Sequence, residues 1–143
     1  MAIPSRVLGS GISQLSTVSI CGDGATAVTA AGTSAGDATA LAYVYNDITT
    51  VGSGAGVKLP QTEMGETIQI VNSGANVLTI YPYSTASTIN GADSLELLAG
   101  GSALLSATSN TTWVSLEGYK TLPKKRYGKS LVFTCDCGKF NIV

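Results

Sequence analysis

Histidine is absent from the chain, which removes the commonest general base and the commonest metal ligand together. Charge is scarce too: Asp, Glu, Lys and Arg make up 12% of the residues, about half the usual quarter. A soluble monomer ordinarily displays more charge, so the composition predicts a surface that lies against something. No apolar run approaches the roughly 20 residues of a membrane span. Met1 to Ser10 contains no apolar core followed by a cleavage site. The expectation is a protein made in the cytosol and used there, or in a particle assembled there. Three cysteines, an odd number, argue against a secreted disulfide framework. Cys21, Cys135 and Cys137 are also too few for a structural zinc site without histidine, so buried or unreacted thiols are expected, with no metal and no cofactor.

Catalytic patterns are equally sparse. The serines lack a nucleophile elbow and any histidine partner. Glu63 and Glu66, and likewise Asp93 and Glu96, are close in sequence but sit beside turn residues and read as solvated; a carboxylate pair brought together by folding stays open. Gly52-Ser53-Gly54-Ala55-Gly56 shares the alphabet of a phosphate-binding loop, yet no Gly-Lys-Ser/Thr follows at the required spacing. The chain reads as non-enzymatic.

What is present is small residues and strand periodicity. Gly, Ala, Ser and Thr account for 66 of the 143 residues. Thr67-Ile68-Gln69-Ile70-Val71 alternates apolar with polar, the pattern of a half-buried strand. Asn72-Ser73-Gly74-Ala75-Asn76 supplies turn residues, with Gly74 able to take positive φ. Val77-Leu78-Thr79-Ile80-Tyr81 returns as a partner strand and Pro82 ends it. The expectation is a hairpin in which Ile68 and Ile70 meet Leu78 and Ile80.

Around this segment the chain punctuates itself. Met1 to Gly24 reads as an extended arm leading into a short strand at Ser16-Ile20. Ala25 to Gly36 is a small-residue strand ending in a loop. Asp37 to Val51 favours strand, with helix over Asp37-Tyr45 as the alternative, since Tyr43, Val44, Tyr45, Ile48 and Val51 are β-formers. Tyr83 to Ser94 is a loop. Leu95-Leu98 and Ser102-Ser106 form a strand pair around Ala99-Gly100-Gly101, where paired glycines permit a primed turn. Ser109-Asn110-Thr111 turns the chain into a strand at Thr112-Leu116, whose Trp113 reads as a core or edge-covering residue. Turn signals at roughly ten-residue spacing predict an all-β fold, a single β-sandwich or jelly-roll-like domain over residues 25–118. It carries an N-terminal arm and first strand over 1–24 and a basic C-terminal tail with short strands over 119–143.

Net charge is −1, but unevenly spread. Residues 1–117 hold two cations against eight carboxylates, and residues 118–143 hold six cations against one. An acidic body thus precedes a basic tail. Lys124-Lys125-Arg126 fits docking on an acidic protein surface first, a solvated linker second, and a phosphate backbone last. Leu131-Cys135 and Phe140-Val143 are apolar and need a partner surface.

The ordered series V-K-L-P, G-E-T-I-Q-I-V-N-S-G-A-N-V-L-T-I-Y-P, I-N-G, L-L-A-G-G-S-A-L-L and T-T-W-V-S-L, over roughly Leu41 to Leu116, resembles a family of small β-rich virion proteins of tailed bacteriophages. Its members are usually described as capsid decoration (cement) or other head-associated proteins. The resemblance implies a structural virion protein on the capsid exterior, stabilising the shell by contacts that exist only once it is assembled. Its partners would be the major capsid protein and copies of itself as a trimer or dimer, with no membrane. The contact residues expected from charge and hydrophobicity are Ile3, Pro4 and Arg6 in the arm and Lys124, Lys125, Arg126, Phe133 and Phe140 in the tail. Two other readings stand beside this one. The first is a tail, neck or fibre component that binds host-surface carbohydrate through an exposed Tyr81, Tyr83 and Trp113 region. The second is a nucleic-acid-binding accessory protein.

Overall fold

Ten strands and the helix Gln14–Cys21 form within residues 8–117, the residues described by the computed structural model. The strands are β1 (Gly24–Ala30), β2 (Thr39–Ala40), β3 (Tyr45–Val51), β4 (Gly56–Lys58), β5 (Thr67–Asn72), β6 (Leu78–Tyr81), β7 (Thr88–Ile89), β8 (Leu95–Leu97), β9 (Ser102–Ala107) and β10 (Thr112–Glu117). The mostly-β, small single domain agrees with the expected class. The predicted tail lies outside the described residues, as do the first residues of the arm.

The segment at Ser16-Ile20 is helical where a strand was expected. Helix α1 spans Gln14–Cys21. The Ser13 side chain accepts a hydrogen bond from the Ser16 amide, and Gly22, at φ 77°, donates its own amide to the Val18 carbonyl. An N-cap serine and a C-terminal glycine bracket the helix, which the uneven apolar spacing between them obscured. Leu15 and Ile20 remain 83% and 68% exposed, and Thr17 is the one residue of this helix that is buried. Over Asp37–Val51 the strand reading is the one that forms, as β2 and β3.

Successive strands alternate between two sheets. The first has the order β1-β3-β5-β9-β10-β7 and the second β2-β4-β6-β8. β1, β3 and β5 pair in parallel, and so do β2, β4 and β6. A parallel neighbour requires a crossover, and here each crossover is itself a strand of the opposite sheet. The predicted hairpin is therefore not one: β5 and β6 belong to different sheets. Ile68, Ile70, Leu78 and Ile80 still meet, but across the core, within one cluster to which both sheets contribute. The same correction applies to β8 and β9, which the Leu98–Gly101 turn sends to different sheets. Only Gly100 of the glycine pair takes positive φ there, at 72°. A primed hairpin turn would need the twist of two paired strands. β9 and β10 do form an antiparallel pair, and the loop after Pro82 contains the short strand β7 parallel to β10.

Two residues explain why the Asn72–Asn76 corner arcs across rather than folding back. Asn72 is wholly buried. Its Nδ2 donates to the carbonyls of Asn76 and Leu97 at 2.9 Å each, and its Oδ1 accepts the Gly74 amide at 3.1 Å. Gly74 serves close approach rather than positive φ: a Cβ there would stand 2.7 Å from Val51 Cγ2. At one edge of the first sheet, β1 carries a bulge, with Ala27 at φ 61°. That irregularity spoils the edge as a template for another strand.

Candidate docking face and surface cavity

Strand alternation decides which side chains reach the outside. In β9 and β10 the inward residues Ala103, Leu105, Ala107 and Trp113 are buried, which leaves Leu104, Val114 and Leu116 on the outer face of the first sheet. Register aligns Tyr45, Gln69, Leu104 and Leu116 in one row across β3, β5, β9 and β10. Leu116 is 68% exposed, and Tyr45, Leu104 and Val114 are each exposed by more than a third. Asp47 is the one carboxylate on the described part of this face, and its Oδ1 accepts the Ser73 hydroxyl at 2.6 Å. The result is a nearly uncharged sheet face on which four exposed apolar side chains, Tyr45, Leu104, Val114 and Leu116, lie among the neutral polar Thr67, Gln69, Ser102 and Ser106, a candidate interaction surface.

Sequence reasoning overlooked these residues, though a signal was available. Consecutive apolar residues in a period-2 strand, as in Leu104-Leu105 and Trp113-Val114, place one of each pair outside. The contact residues expected from the sequence (Ile3, Pro4, Arg6, Lys124, Lys125, Arg126, Phe133 and Phe140) all lie outside the described residues.

The second sheet presents a different outer side. Tyr81 alternates outward from the buried Leu78 and Ile80, and its ring lies so close over Gly56 that a Cβ there would be 2.5 Å from the ring edge. Its hydroxyl donates to the Thr33 carbonyl at 2.7 Å. Beside it opens a cavity of about 340 Å³, bounded by the Thr33–Ala35 loop, Tyr81 and Pro82, hydroxyl groups of the 84–87 loop, Asp93 and Ser94. The Asp37 carboxylate holds the first loop by accepting the amides of Thr33 and Ser34 and the Ser34 hydroxyl. Those hydrogen bonds, led by the one from the Ser34 hydroxyl, hold Asp37 below the ordinary aspartate value.

Trp113 is fully buried between β9 and β7, as a core residue. The carbohydrate reading that required it to be exposed is corrected on that point. Glu63 and Glu66 flank a turn: burial raises the Glu66 carboxyl above its usual value, the Glu63 backbone partly offsets this, and the Glu63 charge adds to it. No group of three Cys, Asp or Glu side chains suited to a metal ion exists among the described residues. No helix of the described residues is long and apolar enough to cross a membrane. Compared with known protein families and with curated proteins, the chain matches none.

Proposed function

We propose that this protein is a structural, non-enzymatic virion component that binds the exterior of a phage capsid and stabilises the shell. The observation that carries the reading is the outer face of the first sheet, where Tyr45, Leu104, Val114 and Leu116 are apolar, exposed and almost free of charge. Such a face is costly to leave in water and gains free energy when it is covered at a junction between capsid subunits. The division into acidic body and basic tail supports the same reading, since a basic segment steers and holds a subunit on an acidic protein surface. Ile3, Pro4, Arg6, Lys124, Lys125, Arg126, Phe133 and Phe140 would extend the contact to the capsid or to neighbouring copies. We read the finer architecture as a short β-solenoid closed by antiparallel strands rather than a jelly roll. A stack of short turns with a closed end offers a flat, rigid sheet for this purpose.

The test is rebinding of the full chain to capsids stripped of it, measured by co-sedimentation. Charging the face with Leu104→Lys and Leu116→Lys should weaken binding by about ten-fold or more, because two partly exposed leucines would otherwise be buried. Deleting residues 1–8 or 120–143 should also weaken it while the melting temperature holds. Normal shell binding by all of these variants would refute the proposal.

A further inference from the structure

We propose that the cavity beside Tyr81 is a binding site for a neutral saccharide. Its volume of about 340 Å³ falls within the range of small-molecule sites. The lining selects the chemistry. Tyr81 and Pro82 supply apolar surface, Ser34, Thr85 and Ser94 supply hydroxyl groups, and Asp93 supplies one carboxylate. Among the described residues no cationic side chain lines it, so an anionic ligand would meet Asp93 without compensation from them. A divalent cation would want several oxygen ligands with more than one carboxylate, and Asp93 is the only acid among the described lining residues. A wholly apolar ligand would leave the hydroxyls unpaired. A pyranose offers what remains: a C–H face for the tyrosine and proline and a ring of hydroxyls for serine, threonine and aspartate.

The walls are also held in place before any ligand arrives. The Tyr81 hydroxyl ties β6 to Thr33, and Asp37 ties down Thr33 and Ser34. The Ser87 amide donates to the Ser84 carbonyl at 3.0 Å, which fixes the other rim. Such preorganisation lowers the ordering cost of binding. The cavity opens on the outer side of the second sheet, whereas the apolar docking face is the outer side of the first. The two sheets share one core between them, so a subunit seated by its first sheet would turn the cavity away from the shell. The saccharide site does not depend on the shell reading.

The experiment is saturation-transfer NMR on the full chain with a panel of methyl glycosides (glucose, galactose, mannose, rhamnose and N-acetylglucosamine), together with binding to an array of bacterial surface polysaccharides. At least one neutral glycoside is expected to receive saturation. Asp93→Ala and the cavity-filling Thr85→Trp, both at exposed positions, should each reduce the affinity ten-fold or more with an unchanged melting temperature. Binding to the array as well as to the free glycoside would assign the site to cell-surface glycans. Binding to free glycosides alone would assign it to small soluble sugars. Either outcome upholds the site. Absence of transfer from every glycoside, or transfer that survives both variants, overturns it, and neither result bears on whether the chain attaches to a capsid.

Discussion

Replacing Asn72 by alanine should unfasten the corner between β5 and β6. Asn72 is wholly buried, and its side chain satisfies the Leu97 carbonyl and the Gly74 amide, both in buried surroundings, as well as the Asn76 carbonyl. Alanine leaves the first two without partners. A buried polar group stranded in this way costs about 1–3 kcal/mol, so the expected loss is roughly 2–6 kcal/mol, a large part of the 5–15 kcal/mol typical of a domain. At this size, that corresponds to a fall in melting temperature on the order of 10–20 °C. Trp113 is the sole tryptophan and is buried in the same core, so its fluorescence reports the transition directly. Asn72→Asp adds an internal control. Its ionised carboxylate would face two carbonyl oxygens, so at neutral pH it should be worse than alanine. Its folded pKa would be raised, so the penalty should shrink as pH falls and the protonated acid can donate. If Asn72→Ala melts within a degree or two of the wild type, the corner is not held by this side chain and the account of why β5 and β6 diverge is wrong.

Four further predictions rest on separate features. Gly74→Ala should cost about 1–3 kcal/mol by overpacking against Val51, visible as a lower denaturant midpoint, whereas a site that merely needed a turn residue would tolerate alanine. Trp113→Ala should cost about 3–5 kcal/mol as a large buried truncation, and chemical denaturation followed by circular dichroism would measure it. Asp37 is held below its ordinary value by the Ser34 hydroxyl and the loop amides, so its contribution is present above the usual aspartate pKa and lost as pH falls through its lowered value. The melting difference between wild type and Asp37→Asn should therefore narrow in acid. Glu66 runs the other way: burial raises it, so Glu66→Gln should relieve a penalty at neutral pH that disappears below the usual glutamate range.

Strand positions are largely legible in the amino-acid pattern, while strand partners are not. The alternation in Thr67–Val71, and the turn residues that bracket Ser102–Ser106 and Thr112–Leu116, anticipate β5, β9 and β10 to within one residue at either end. Alternation states which face of a strand is buried, but not which strand lies beside it. The Asn72–Asn76 connection suits a hairpin loop and an arc between sheets equally well by composition. What selects the arc is non-local: Asn72 reaching Leu97, and Gly74 lying against Val51. The helix at Gln14–Cys21 is hidden for the opposite reason, since its local caps outweigh an apolar pattern that fits no single face. The docking face is half-written in Leu104-Leu105 and Trp113-Val114. The cavity is not legible, because it gathers residues 33–35, 81–87 and 93–94 from three separate loops.

The proposal that the chain is a shell component is tested most directly by quantitative mass spectrometry of phage particles purified from cells that produce the chain, comparing its copy number with that of the major capsid protein. A copy number commensurate with the capsid's repeated sites is the predicted result. A dozen or so copies, as the rotational symmetry of a tail would impose, or absence from the particle, would contradict it.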